Sequence, residues 1–329
     1  MRPLFLFFLL FFAMRADAAQ GDEVDVRILS FPSKAGFVKD VRILEESLDA
    51  LGYSHDSRFI PEMAGLAIHG EVFPKAKVQI FIQEYDSHLL TFGEKNYLIP
   101  NPEWCWDTPE SLQKVDLILA RTREVERLYS EKGLPVFYLG FTGADQFLPH
   151  VEKKYRSYFH LKGFSPFKSC EEIVAAWNPS FPELIVVDHW PHYKKITPNI
   201  TIIDAYLTDE EIKIAQNRSG IHLCPSKTEG FGHSMTEAMS AGAVVLTTDA
   251  PPMNEFIVDR RFLIPYFKTS VHGWGKLYHV SPQEIRKAVA HTMKLSPKEL
   301  KEVGEQNRRR YLELKEEFLQ NLQDLLTLE

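Results

Sequence analysis

The sequence predicts an α/β protein of two doubly wound domains, in which helices cover both faces of a parallel sheet. The chain has 329 residues, a length that favours two domains. From residue 24 onwards, β-branched and aliphatic runs alternate with helical patterns, which is typical of buried parallel strands joined by helices. With 17 Gly and 20 Pro in the whole chain, collagen-like and low-complexity classes are excluded.

The first nineteen residues are expected to be a secretory signal peptide. A basic start precedes an apolar run from Leu4 to Met14, and the small-residue stretch 16–19 follows. This run is shorter than the roughly 20 residues that cross a bilayer as a helix, so we expect no stable transmembrane span. The prediction is therefore export to a secretory lumen or periplasm. The alternative is membrane association through an uncleaved N-terminal segment.

The first domain is predicted over residues 20–150. Gly52 and Gly133 end its two predicted helices, because glycine readily adopts the left-handed conformation that closes a helix. The expected elements, in chain order, are a strand over 24–31, a helix over 37–51, strands over 77–84 and 115–120, a helix over 122–132 and a strand over 135–139.

The second domain is predicted over residues 151–296, followed by a terminal helix over 297–329 that docks through its apolar face. That face is indicated by Leu300, Val303, Tyr311, Leu314, Phe318, Leu322 and Leu325, which recur at helical spacing. The expected elements of the domain are a strand over 156–161, a helix over 169–177, strands over 183–188 and 200–204, a helix over 209–217, a strand over 220–223, a helix over 234–241 and a strand over 244–247. Beyond residue 281 the chain is expected to be helical.

Residues 220–257 carry the pattern that points to chemistry. An apolar strand leads into the loop Glu229-Gly230-Phe231-Gly232, and a helix follows. Two glycines let the backbone approach a ligand closely, and the free N–H groups of a first helical turn bind phosphate. This geometry suits a nucleotide diphosphate.

Two carboxylates accompany this loop. Glu229 lies in it, and Glu237 lies about one turn inside the helix, roughly 6 Å along its axis. A carboxylate accepts two hydroxyl hydrogen bonds, so the pair suits a ribose and a sugar ring. In the alternative interpretation, Glu229 is a surface residue, Glu237 favours the positive end of the helix, and the glycines only form a turn.

The segment resembles, nearly position for position, the donor-site signature of the retaining GT-B glycosyltransferases of family 4 type (glycosyl transferases group 1). The matching residues are Pro225, Ser226, Glu229, Gly230, Phe231, Gly232, Glu237, Ala238, Met239 and Gly242. The resemblance implies two Rossmann-like domains with a cleft between them, and sugar transfer from a nucleotide-sugar with retention at the anomeric carbon. It implies Glu229 as the catalytic residue, which holds the donor sugar, and Glu237 as the ribose ligand. Gly230, Phe231 and Gly232 are implied as further donor-binding residues.

A weaker resemblance extends to other loops of the second domain. Lys168 matches the lysine that clasps the diphosphate, and Tyr206-Leu207 occupies the place where the nucleotide base binds. An earlier basic residue of the family is missing near Gly163 or Phe164, and Lys162 is the substitute that the sequence offers. This departure keeps open a degenerate glycosyltransferase-like protein that binds donor without turnover.

The acceptor side is indicated less sharply. The family's early glycine-rich loop is reduced to residues 33–36, which makes Gly36 a candidate, and His69 is a second guess beside His88. Residues 101–104, Asn-Pro-Glu-Trp, follow an apolar run and either line the cleft or form a packed aromatic corner. The acceptor is left open as a glycan, lipid or protein.

Charge and cysteine usage limit the partners. Lys and Arg total 38 against 45 Asp and Glu, a formal net charge of −7, so we expect no nucleic-acid partner. The scattered Cys105, Cys170 and Cys224 lack the short spacings of a zinc site, and no compact Asp-x-Asp triplet is found. The prediction is no metal and no cofactor besides the nucleotide-sugar substrate. An exported two-lobed solute-binding protein is a rival that has no need of the Glu229/Glu237 motif.

Overall fold

A computed structural model describes residues 23–32, 36–70, 73–163, 165–193 and 196–327. Within them, two six-stranded sheets follow one another along the chain, and every strand pair in each sheet is parallel. The predicted α/β class with two doubly wound sheets is confirmed. The predicted signal peptide lies outside the described residues.

The first sheet has the strand order β2-β1-β3-β4-β5-β6, so the chain starts near one edge and winds to the other. Its strands are β1 (Val24–Ser30), β2 (His55–Phe59), β3 (Ala76–Ile82), β4 (Gly93–Ile99), β5 (Leu117–Ala120) and β6 (Val136–Tyr138). The accompanying helices are α1 (Gly36–Leu51), α2 (Ile60–Ile68), α3 (Pro109–Leu112) and α4 (Arg123–Ser130).

The second sheet has the strand order β12-β11-β10-β7-β8-β9. Its strands are β7 (Lys154–Leu161), β8 (Leu184–Val187), β9 (Ile200–Ile203), β10 (Ser219–Cys224), β11 (Val244–Thr248) and β12 (Leu263–Ile264). The helices are α5 (Cys170–Ala176), α6 (Asp209–Arg218), α7 (His233–Ser240), α8 (Pro282–Lys294) and α9 (Pro297–Thr327). An antiparallel hairpin of β13 (Tyr266–His272) and β14 (Gly275–Val280) stands outside both sheets.

Local sequence explains where several helices begin. Thr208 and Glu211 form a reciprocal capping box at the start of α6, and Thr122 caps α4 through the N–H of Val125. Ser281 caps α8 in the same way. Each cap satisfies N–H groups that the helix itself leaves unbonded.

The pattern did not indicate β2, α2, α3, β12 or the hairpin, and it indicated β4 only as an apolar run before residue 101. The β2 segment reads His-Asp-Ser-Arg-Phe and lies at a sheet edge, so it lacks the apolar run that marks a central strand. Most of β13 is exposed, and for the same reason it carries no buried-strand signal. The predicted strands and helices otherwise coincide with observed ones to within a few residues.

Two segments of the second half pack against the first. The indole N–H of Trp274, at the hairpin tip, donates to the carbonyl of Asp107 at 3.0 Å. The centre of its ring lies 4.9 Å from that of Tyr129, with the two rings tilted by 39°. Helix α9 buries its seven predicted apolar residues. It also crosses to the first half, because the Tyr311 hydroxyl donates to the carbonyl of Gly143 at 2.9 Å and Phe318 packs on Phe141.

The structure also shows the state of the cysteines and whether any described helix could span a membrane. Cys105, Cys170 and Cys224 are buried and form no disulfide. Across the described residues, no helix combines the length and apolar character needed to cross a membrane.

Phe318→Ala tests whether α9 is part of the core. The Phe318 ring is fully buried and lies 4.9 Å from that of Phe141, so its loss is expected to lower the free energy of unfolding by about 4 kcal/mol. Leu312 on the same helix is 45% exposed, and Leu312→Ala is expected to change it by less than about 0.5 kcal/mol. Urea unfolding of both variants checks this. Equal losses in the two would contradict a docked α9.

Candidate functional site

A cavity of about 410 Å³ lies between the two sheets, at the carboxyl ends of their strands. Its walls come from the segments that follow β1, β4 and β5 in the first half and β7 and β10 in the second. In doubly wound folds this edge is where ligands bind, because the loops there are free to differ while the sheet stays rigid.

The predicted loop and the start of α7 form one wall of this cavity. Gly230, Gly232 and the first residues of α7, His233 and Ser234, all line it. Gly232 adopts the left-handed conformation, φ 110°, and precedes α7 without any side-chain cap. The N–H groups of a first helical turn have no partner inside the helix, so this wall is suited to an anion.

Phe231 anchors the loop through its buried ring. Its ring is buried and packs edge-on against Phe141 at 5.2 Å and Phe256 at 5.5 Å. Although it touches the cavity, its main contacts are with the core of the protein. The aromatic residue of the motif therefore fixes the loop between the two halves.

Glu229 and Lys168 form an ion pair at the cavity wall. The Lys168 ammonium donates to Glu229 Oε1 and also to Ser234 Oγ at 3.1 Å, and the Ser226 hydroxyl donates to the same carboxylate. The structure thus brings together two predicted site residues that lie 61 positions apart in the sequence. A cation and a hydroxyl-binding carboxylate lie side by side next to the start of α7.

Glu237 forms a second such pair, with Lys39 of α1. The Lys39 ammonium donates to Oε1, and Gln216 Nε2 donates to Oε2 at 3.0 Å. Only 1% of Glu237 is exposed, and burial alone would raise its pKa. The charge and hydrogen bond of Lys39, the charge of His233 and the hydrogen bond from Gln216 together outweigh burial and hold the pKa below its ordinary value. Glu237 is therefore ionised at neutral pH and is a strong hydrogen-bond acceptor.

A buried ion network links the first half to α7. Arg121 follows β5 and holds both oxygens of Asp40, at 3.0 and 3.1 Å, while His233 Nε2 lies 2.7 Å from the same carboxylate. Arg121 also donates to the amide oxygen of Asn101. Burial alone would raise the pKa of Asp40, yet the charges of Arg121 and His233 keep it below its ordinary value.

Glycine is required at position 230 because Asn101 and Arg121 of the first half approach its backbone closely. A Cβ at this position would overlap Asn101 Oδ1 and lie 3.0 Å from Arg121 Nη2. The loop of the second half therefore touches the turn after β4 directly, with no room for a side chain. The motif glycine is explained by packing between the two halves rather than by a left-handed turn.

Glu103 and Trp104 occupy a short 3-10 turn, Pro102–Trp104, and both line the cavity. Glu103 is 6% exposed, and within the described structure its Oε2 has no hydrogen-bond partner. Burial raises its pKa to about 7. Trp104 packs on Phe167 at 5.3 Å and on His272 at 5.4 Å, so both sequence interpretations of this turn hold: it lines the cleft and is an aromatic corner.

Lys162 lines the cavity, but its ammonium lies 2.8 Å from Oδ1 of the fully buried Asp188. Gly163 also lines it, whereas Phe164 lies outside the described residues. The predicted substitute cation is thus present but already paired with a carboxylate.

A larger cavity of about 760 Å³ continues from the first, and the two share Lys39, Leu161, Gly163 and Glu237. Tyr206 and Leu207 line this second cavity, and the Tyr206 ring stacks on His189 at 5.2 Å and 16°. The residues predicted to meet a nucleotide base therefore lie on the far side of Glu237 from Glu229.

The two acceptor-side candidates have different positions. Gly36, at the start of α1, lines the smaller cavity. His69 is exposed at the end of α2 and lines neither cavity, and His88 is likewise exposed, beside Asp86. A single histidine carries no local signal that separates a surface position from a site, and the structure places neither histidine at the cleft.

Several site residues escaped the sequence pattern: Lys39, Asp40, Arg121 and His233. Arg121 had a usable signal, because a charged residue directly after a buried strand lies at the ligand-binding edge of a parallel sheet. Lys39 and Asp40 had none, since a charged pair near the start of a helix is common. Among the residues that the structure describes, no group of three or more His, Cys, Asp or Glu side chains is placed to hold a metal ion.

Comparison with known proteins places this geometry in context. Residues 194–310 match the family model of the glycosyl transferases group 1, a stretch that includes Glu229 and Glu237. A search of curated proteins gave no match. One solved structure with a similar fold is sucrose-phosphate synthase from Thermosynechococcus elongatus, with a TM-score of 0.71 and 12% identity, covering 94% of this chain and 99% of that one. A second is a chain of a GtfA/B complex, with a TM-score of 0.58 and 14% identity, covering 82% of this chain and 60% of that one.

A third is the pneumococcal O-GlcNAc transferase GtfA in complex with UDP and GlcNAc (TM-score 0.60, 13% identity, 80% of this chain). The chain spans about 60% of the length of both Gtf structures. At such identities the likeness concerns the fold, and it confirms the predicted GT-B arrangement of two Rossmann-like domains.

Gly230→Ala tests the contact between the two halves. Because the added Cβ overlaps Asn101, the variant is expected to lose about 2 kcal/mol of unfolding free energy. Gly65→Ala is the matched control, because nothing lies within 4 Å of its Cβ and alanine favours the interior of α2, so it is expected to be neutral or up to about 1 kcal/mol more stable. Chemical denaturation measures both. A neutral Gly230→Ala would contradict the close approach.

Glu103→Gln tests the buried carboxyl by its pH dependence. Burial raises its pKa from 4.5 to about 7, so in this window the folded chain keeps a proton that the unfolded chain releases. The free energy of unfolding of the wild type is therefore expected to fall by on the order of 3 kcal/mol as the pH rises from about 4.5 to about 7. Glu103→Gln is expected to remove this loss. At pH 8 the variant is expected to be the more stable protein, with the difference vanishing near pH 4.

Thermal unfolding of both proteins from pH 4 to 8 measures that difference. Glu62→Gln, on the exposed face of α2, is the control and is expected to show no such pH-dependent gain. A gain of the same size in the control, or none in Glu103→Gln, would disprove the assignment.

Proposed function

We propose that the protein transfers a sugar from a nucleotide-sugar to an acceptor, with retention at the anomeric carbon and without a metal ion. The observation that carries this proposal is the pair of lysine-bound carboxylates, Lys168–Glu229 and Lys39–Glu237, beside the start of α7. The match of residues 194–310 to the glycosyl transferases group 1 supports it, as does the GT-B fold.

The diphosphate of the donor would bind at the start of α7. The N–H groups there, together with Lys168, offer positive charge to an anion at the wall of the cavity. When the bond between the sugar and the diphosphate breaks, negative charge grows on the leaving oxygen. Donors already fixed around that oxygen stabilise this charge without reorganisation.

The hydroxyl groups of the donor would bind to the two carboxylates. Glu237 is ionised and faces the junction of the two cavities, which suits the ribose, and the stacked pair of Tyr206 and His189 farther along suits the base. Glu229 then holds the sugar ring next to the diphosphate. This order follows the length of a nucleotide-sugar from base to sugar.

In the transfer step, the bond from the anomeric carbon to the phosphate oxygen breaks while the bond to the acceptor oxygen forms on the same face. The acceptor hydroxyl loses its proton, and the leaving phosphate oxygen, which lies on that face, is the base that takes it. Lys168 stabilises the departing charge, and Glu229 stabilises the positive character of the sugar ring.

One observation favours a second candidate function, binding of the donor without turnover. Lys162, the lysine next to Gly163 in the first loop of the second domain, is paired with the fully buried Asp188, and Lys168 is the other lysine of that loop at the cavity. A site that lacks this charge binds the diphosphate through fewer cations. Export of the chain through residues 1–19 remains a proposal, and it requires a compartment that is supplied with nucleotide-sugar.

Calorimetric titration with UDP-glucose, UDP-N-acetylglucosamine, GDP-mannose and ADP-glucose, followed by a sugar-release assay, tests the function. Glu229→Gln is expected to lower the rate of release at least about 100-fold with little change in nucleotide affinity. Glu237→Gln is expected to weaken nucleotide binding about 10-fold or more, because it removes a charged hydrogen-bond acceptor. Glu316→Gln, exposed on α9, is the matched control and is expected to behave as the wild type.

The outcomes separate the candidates. No binding of any nucleotide-sugar favours the solute-binding rival, and binding without release favours the non-catalytic form. Unchanged release by Glu229→Gln would contradict the role given to that carboxylate.

A further inference from the structure

We infer that the acceptor is a glycan and that a sugar ring of it binds against Glu103 and Trp104, with Trp106 extending the surface beyond the cavity. This inference rests on the proposed function and names the class of its second substrate. These three residues are called the acceptor wall below.

The acceptor wall lies beside the donor site. Its residues follow β4 in the first domain, and the preceding residue Asn101 touches Gly230 of the donor loop. Glu103 and Trp104 line the same cavity as Glu229 and Lys168, and the charges of Glu229 and Lys168 both act on Glu103. A group held on this wall is therefore next to the donor sugar.

Glu103 has an unused hydrogen-bonding atom. Its Oε2 is buried and, in the described chain, makes no hydrogen bond, although buried polar atoms in proteins are nearly always paired. Leaving such an atom unpaired costs free energy, which a ligand group that pairs with it recovers. A sugar hydroxyl suits either protonation state, since it donates to a carboxylate and accepts from a carboxylic acid.

The two tryptophans present exposed apolar ring surface, Trp104 at the wall of the cavity and Trp106 beyond it. Trp104 is 44% exposed and Trp106 is 68% exposed, and each packs edge-on against His272, at 5.4 and 5.3 Å. His272 thus holds both rings in place. A pyranose has a face of C–H groups and a rim of hydroxyls, and C–H groups pack favourably on the electron-rich face of an aromatic ring.

A lipid acceptor fits this wall less well. An acyl chain would cover the ring surface but would also seal the carboxyl of Glu103 against hydrocarbon, which carries a large desolvation cost. A sugar ring satisfies both features at once, because its face meets the tryptophans and its rim meets the carboxyl. The combination of one buried acid with two exposed indoles therefore favours a glycan.

The test is saturation-transfer NMR on the full chain with the nucleotide that the wild type binds. The probes are the methyl glycosides of glucose, galactose, mannose and N-acetylglucosamine, each titrated to obtain its affinity. Wild type is expected to bind at least one of them. Trp104→Ala and Glu103→Leu are expected to weaken that binding at least 10-fold, whereas Glu103→Gln, which keeps the hydrogen bond, is expected to stay within about 3-fold.

Two further variants keep the result interpretable. Trp106→Ala removes a mostly exposed ring, so it is expected to fold normally and to weaken binding of the corresponding disaccharide glycosides by several-fold. Phe59→Ala, an exposed aromatic residue at the end of β2 that lines neither cavity, is the matched control and is expected to leave binding unchanged. Calorimetry is expected to give the same nucleotide affinity for all of these variants.

Three results would overturn the inference. In the first, the wild type binds none of the glycosides. In the second, Trp104→Ala and Glu103→Leu bind glycosides as well as the wild type does. In the third, the wild type binds phosphatidylcholine and phosphatidylglycerol vesicles instead of glycosides, and this binding depends on the tryptophans. Failure of the wild type to bind any nucleotide would instead remove the proposed function, so the two failures are distinguishable.

Discussion

The buried ion network of Arg121, Asp40 and His233 is the constraint on which the site depends. It joins β5 and α1 of the first domain to the first residue of α7 in the second, with the Arg121 and Asp40 side chains only 3% and 4% exposed. Burying charges is costly, and it is tolerated here because Arg121 binds both oxygens of Asp40 and also Asn101. Removing one partner would leave an unpaired charge in the interior.

This network also sets the width of the cleft. Asn101, which Arg121 holds, contacts Gly230, and His233 begins α7, so the start of that helix is fixed relative to the first domain. The hairpin tip at Trp274 and the crossing of α9 near Gly143 connect the domains at two further places. Because several separate contacts, the Lys39–Glu237 pair among them, define the relative position of the domains, the helix start that would meet the diphosphate is rigidly placed.

The sequence predicted the second domain's part of the site better than the first domain's part. Glu229, Gly230, Gly232 and Glu237 lie in one contiguous segment whose strand, loop and helix are all readable locally, and Lys168 follows from the same domain's first loop. Lys39 comes from a distant helix, and its pairing with Glu237 spans 198 positions. No local pattern distinguishes such a lysine from an exposed one, since only the packing of the two domains brings it to the cleft.

The same physical limit explains the errors in the fold. Central strands are buried on both faces and produce apolar runs, so β1, β3 and β5 were evident. The edge strand β2 and the exposed hairpin strand β13 are half-solvated, and their polar residues hide them. The hairpin matters for the proposed acceptor wall nevertheless, because its residue His272 packs against both Trp104 and Trp106.

The charges around the smaller cavity single out Glu103. Each of the basic residues Lys39, Arg121, Lys162 and Lys168 is paired with a carboxylate, whereas Glu103 has no such partner in the described part of the chain. Gln would fill the same volume without the ionisation penalty of a buried acid above pH 7. Stability of the fold therefore gives no reason for an acid at this position. Its position on the wall shared with Glu229, together with its unpaired oxygen, gives a reason in ligand binding.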